Sequence, residues 1–164
     1  MLELQNGEYG NPLKQFQKDA MLDLVLAWGS LDGALTMLVA AFTGEELHAA
    51  ADRIGKLKGE LKLLEISKIL ENYDEATEIA KNFRRQKKQY EKFAKPRNRI
   101  AHAHCVGFLL SDDQFVVFAC TECVGEDKMA IEAIPIEAML AATKYGQTLT
   151  AFAYQTAEKF RSAS

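Results

Sequence analysis

The chain is poor in the residues that mark several protein classes. Three prolines and ten glycines among 164 residues exclude a collagen-like or Pro-rich disordered chain. Three cysteines are an odd count for a disulfide framework. The first six residues, Met1 to Asn6, lack a basic region followed by an apolar core, so no secretory signal is read there. A reduced, cytoplasmic setting is the expectation that follows. The most apolar run, residues 24–42, is broken by Ser30, Asp32 and Thr36 and holds Gly29 and Gly33. It is expected to be a buried helix and not a membrane span, and no membrane partner is expected. Internal repeats and low-complexity tracts are absent from the sequence.

What remains is an ordinary globular composition, 48% apolar with a mean hydropathy of -0.16. A chain of this length buries roughly two thirds of its unfolded surface and needs no covalent staple. It is expected to form a single domain over residues 1–164. The formal net charge of -3 by itself speaks against a nucleic-acid partner. The distribution reverses that. Residues 81–99 hold nine basic side chains and one acid, Glu91, for +8; the rest of the chain carries -11. An acidic protein thus bears one concentrated cationic segment.

Apolar periodicity sets the expected elements. Leu24, Trp28, Leu31, Leu35, Leu38 and Phe42 recur at steps of four and three, one stripe of a long helix over residues 11–43. Pro12 suits its first turn and Thr43-Gly44 its end. Shorter helices are expected over residues 45–54 and 60–72. Residues 73–94 form the next, with Ile79, Phe83, Tyr90 and Phe93 as a narrow seam interrupted by Gln86. Pro96 disfavours helical geometry at Lys95 and is expected to begin a separate short helix over residues 97–103. From residue 104 to about 134 the pattern changes to an antiparallel β meander. Its turns are Ser111-Asp112-Asp113 and Gly125-Glu126-Asp127. A last helix covers residues 136–160. The expected fold is mainly α, a helical bundle with a small β insertion before its last helix.

The string Lys95-Pro96-Arg97-Asn98-Arg99-Ile100-Ala101-His102-Ala103-His104 concentrates the chemistry. Asn98 and His102 are four apart and share a helix face. Arg97 and His102 are five apart and diverge by about 140°. Either Arg97 bends back, or a second copy completes the pair. If Pro96 starts a helix, the free N–H groups of Arg97, Asn98 and Arg99 form an anion site. Arg97 offers a planar fork for phosphate oxygens. The His102 side chain belongs to a type that moves protons near neutral pH. Cleavage of RNA by its own 2'-hydroxyl needs such parts: a base for that hydroxyl, an acid for the 5'-oxygen, and cations for the pentacoordinate charge.

Arg97-Asn98-Arg99-Ile100-Ala101-His102 resembles the Arg-polar-x3-His signature of HEPN domains (higher eukaryotes and prokaryotes nucleotide-binding). The helical layout and the preceding basic helix are similar too. The resemblance implies an HEPN-like bundle and a metal-independent endoribonuclease without cofactor. It implies Arg97 and His102 as the catalytic pair, with Asn98 as the polar residue after the arginine. It also implies a homodimer with a composite site and a role as toxin in a toxin–antitoxin or phage-defence system, with a cognate antitoxin as partner. The alternative is a noncatalytic HEPN-fold module that binds nucleotide or protein. Arg84, Arg85, Lys88, Lys92, Lys95 and Arg99 are the expected RNA contacts. On helical phase Arg99 and His104 face away from Arg97 and His102. Cys120-Thr121-Glu122-Cys123 has no second pair, so no metal site is expected. His48 is expected on a helix surface or in the core. Asp32, Glu60 and Glu65 are carboxylates available to orient a catalytic group.

Overall fold

The computed structural model describes residues 8–57, 60–123 and 129–161. In order these are β1 (Tyr9–Gly10), α1 (Gln15–Thr43), α2 (Leu47–Gly55), α3 (Glu60–Leu70), a 3-10 turn (Asp74–Ala76), α4 (Thr77–His102), β2 (His104–Leu109), β3 (Phe115–Cys123), β4 (Met129–Pro135) and α5 (Ile136–Arg161). The fold is mainly helical, with a small antiparallel sheet before the last helix. The chain divides into two compact units. One comprises Met1–Leu26 and Lys95–Lys144, the other Ala27–Ala94 and Tyr145–Ser164. Helices α1, α4 and α5 each contribute residues to both.

The first unit holds the sheet, ordered β1-β2-β3-β4. Val116, Val117, Phe118 and Ala119 of β3 are buried in succession, so both faces of this central strand are covered. The predicted Ser111-Asp112-Asp113 turn joins β2 to β3; Asp112 closes it by accepting the Gln114 N–H at 3.0 Å. Two residues are too few for a periodicity signal, so β1 escaped the sequence pattern. Tyr9 pairs with Leu109 and Gly10 with Phe108. A bulge separates Cys105 from Gly107 in β2. Gly107 has φ of 148°, and a side chain there would run into the Gly10 carbonyl, so only glycine fits. Helix α1 starts at Gln15 and not at residue 11, leaving Pro12 outside it behind a cis Asn11–Pro12 bond.

Gln17 ties that start to the β2–β3 turn. Fully buried, it accepts the Lys14 N–H at 2.8 Å and donates to the Asp113 carbonyl at 2.7 Å. The first bond is the reciprocal half of a capping box. Lys14 Nζ lies 2.6 Å from Asp113 Oδ2. Hydrogen bonding from Lys14, then from Gln114, holds the Asp113 carboxyl below the usual aspartate range. A depressed carboxyl stabilises the fold above its unfolded pKa, and that stability is lost as pH falls through the lower folded value. Urea titrations from pH 6 down to pH 2 should therefore show a shallower loss of stability in Asp113→Asn than in wild type, the difference arising below about pH 4.

The second unit is a helical bundle. Leu31, Leu35, Leu38, Ile54, Leu63, Ile66, Leu70 and Phe83 are fully or almost fully buried there. Trp28 meets Tyr90 edge-on at 4.9 Å, and Phe42 meets Phe160 at 4.2 Å. The stripe read from the sequence is thus the core face of α1. That helix is long and apolar enough to cross a membrane by length and composition, but 44% of its most apolar window is already buried inside the protein. Leu61 of α3 is 48% exposed. Lys62 beside it is buried instead, its Nζ 2.6 Å from Asp32 Oδ1.

Candidate functional site

Helix α4 runs unbroken from Thr77 to His102, with Pro96 inside it. The expected break at Lys95 and the separate helix at Arg97 are not present. Proline removes one backbone donor and costs helix stability. Here Ala94 and Pro96 are both buried, and their packing offsets that loss. Arg97, Asn98 and Arg99 therefore lie in a helix interior, and the N-terminal anion site expected of them is lost. Any anion binding falls to side chains.

Those side chains occupy the last two turns of α4, in the first unit. Asn98 and His102 are exposed, and Arg97 is half-buried. Arg97 Nη1 donates to Asn98 Oδ1 at 3.3 Å. The guanidinium thus turns towards Asn98, which shares a face with His102. Arg97 and His102 themselves leave the helix about 140° apart. Among the described residues the His102 side chain has no hydrogen-bond partner. Arg99 donates from Nε to Glu132 Oε2 at 2.6 Å, so much of its charge is answered by β4. His104 is not on the helix at all. It opens β2 opposite Ala119, so the helical-phase reading of its direction does not apply. Lys95 is exposed.

In the second unit, Lys81, Arg84, Arg85, Lys88 and Lys92 fall within an arc of about 100° around α4, and all are exposed. They form a single cationic face, while Lys87 is half-buried outside it. Two of the five are engaged: Lys81 with Glu78 at 2.7 Å and Arg84 with Glu71 at 2.6 Å. Lys92 Nζ lies 5.5 Å from the Phe93 ring. The Lys81 partnership, through its hydrogen bond first, holds the Glu78 carboxyl below its ordinary value.

The remaining candidates resolve into structure. Asp32 is taken by Lys62, and Glu65 pairs with Lys68 at 3.3 Å. His48 is on the surface of α2. Cys105 is a half-buried free thiol whose pKa burial pushes up. Among the described residues no cluster of three or more His, Cys, Asp or Glu is placed to hold a metal. The Glu60, Cys120 and Cys123 side chains and the Gly125-Glu126-Asp127 turn lie outside the described residues. Sequence reasoning missed the partners Glu132 and Glu71, which oppose α4 only through tertiary contact. Comparison with protein-family models, curated proteins and solved structures finds no match.

Proposed function

We propose that this protein is a metal-independent endoribonuclease of the HEPN type, acting in the cytoplasm as a homodimer. The observation that carries the reading is the Arg97–Asn98 hydrogen bond one helical turn before an exposed His102. The Arg97 guanidinium is thereby turned towards the helix face that Asn98 shares with His102. The 2'-hydroxyl of RNA attacks the adjacent phosphorus and the 5'-oxygen leaves. The products are a 2',3'-cyclic phosphate and a 5'-hydroxyl. His102 serves as general acid or base, Arg97 holds the pentacoordinate charge, and Asn98 orients Arg97. One histidine does not perform both proton transfers at once. A second copy supplies the other, which is the role of the dimer. Exposed Leu22, Val25 and Leu26 on α1, at helical spacing, support self-association.

The cationic face of α4 holds flanking phosphates. Binding of His102→Ala protein to single-stranded RNA should weaken steeply with salt, and Lys88→Gln and Lys92→Gln should each reduce the log–log slope by about 0.7. A flat salt response removes RNA from this face. Cleavage itself is tested with purified protein in EDTA. In this reading the protein is the toxin of a toxin–antitoxin or phage-defence pair, restrained by a cognate antitoxin. Growth arrest on expression, relieved by His102→Ala, tests that role. The divergence of Arg97 from His102 within one chain favours a second reading, a noncatalytic module that binds nucleotide or protein. Harmless expression together with ligand binding is its signature.

A further inference from the structure

We propose that the cavity between α4 and α5 in the second unit binds a single nucleobase. It measures about 330 Å³, within the range of small-ligand sites. Asn82, Phe83 and Gln86 line it from α4, and Tyr145, Thr148 and Phe152 from α5. None of its lining residues is charged. A phosphate or carboxylate would lose hydration there without gaining a counter-charge, so the guest is neutral.

The polar groups define its edge. The Tyr145 hydroxyl donates to Gln86 Oε1 at 3.3 Å. Burial raises the Tyr145 phenol well above its ordinary pKa, so it remains a neutral donor. With its oxygen so engaged, Gln86 presents its amide N–H groups. Asn82 lies one turn earlier on the same face and is exposed. Its amide offers a donor and an acceptor side by side, and among the described residues it has no hydrogen-bond partner. The apolar wall is Phe152, half-exposed, its ring 5.6 Å from that of buried Phe83. The matching guest has an aromatic face and a mixed donor–acceptor edge. Nucleobases have both: amide side chains pair with base edges, and unpaired bases stack on aromatic rings.

The inference rests on the ribonuclease reading, to which it adds selection of a base, but its test is separate. The probes are the four ribonucleosides, which are uncharged and blind to the cationic face. The readout is fluorescence of Trp28, the chain's one tryptophan, whose ring lies 6.4 Å from that of Tyr145. At least one nucleoside should bind saturably, with Kd on the order of 1 mM or tighter. Asn82→Leu and Gln86→Leu should each weaken it by about tenfold, with unchanged circular dichroism. No saturable binding, or binding that both substitutions leave intact, overturns the pocket. Nucleoside binding by a protein that never cuts RNA upholds the pocket and fails only the ribonuclease reading. RNA cleavage without nucleoside binding does the reverse.

Discussion

His102→Ala is expected to lower the rate of RNA cleavage by about 10²–10⁴-fold, the usual worth of a general acid or base. His102 is exposed at the end of α4 and its side chain makes no hydrogen bond among the described residues, so its removal should leave stability within about 0.5 kcal/mol. A catalytic loss without a folding loss separates chemistry from scaffold. Arg97→Ala should cost about 10²–10³-fold by removing charge stabilisation. Its half-buried position makes a small stability loss acceptable alongside. If the site is composite and takes one His102 from each copy, dimers mixed from wild-type and His102→Ala chains should be inactive, so cleavage should fall more steeply than the wild-type fraction. Cleavage that falls only in proportion to the wild-type fraction would place each site within one chain.

The second large effect concerns stability. Asp32→Ala is expected to destabilise the second unit by about 3 kcal/mol, by stranding a buried ammonium. The asymmetry of the pair sets the direction: the Lys62 side chain is 8% exposed and that of Asp32 is 40% exposed. Removing Asp32 leaves the buried charge without its partner. Removing Lys62 leaves a carboxylate that still reaches water. Lys62→Met should therefore cost much less, about 1 kcal/mol, and Asp32→Ala in the Lys62→Met background should cost little more. Urea midpoints of the two single variants and the double variant measure this. Equal losses from Asp32→Ala and Lys62→Met would contradict the burial argument.

The same residues show what the sequence reveals and what it conceals. The α1 stripe from Leu24 to Phe42 follows helical spacing, and hydrophobic burial then dictates where it points. The β2–β3 turn carries its own hydrogen-bond acceptor in Asp112, so local chemistry announces it. Pro96 misled for a physical reason. Its local preference opposes the helix, yet buried Ala94 and Pro96 pack well enough to override it. That single reversal removes the expected ring of free N–H groups and leaves any anion binding to side chains. Asp32 gave a similar lesson. A carboxylate on a predicted helix looks available until a distant lysine is folded against it. At the candidate site, Asn98 and His102 could be paired from their spacing alone. The turn of Arg97 towards Asn98 and the commitment of Arg99 to Glu132 needed tertiary contact.

Lys81, Arg84, Arg85, Lys88 and Lys92 form one exposed face of α4, although Glu71 and Glu78 answer two of them. If RNA binds along that face, its affinity should rest on Arg85, Lys88 and Lys92 and not on all nine cations.

The central claim is that Arg97 and His102 cut RNA without metal. It is tested most directly by a time course of RNA cleavage in excess EDTA by wild-type, Arg97→Ala and His102→Ala proteins, with the product ends identified. The prediction is cleavage by wild type alone, leaving 2',3'-cyclic phosphate and 5'-hydroxyl ends. Cleavage that persists equally in both variants, or a wild-type protein that leaves RNA intact, would contradict it.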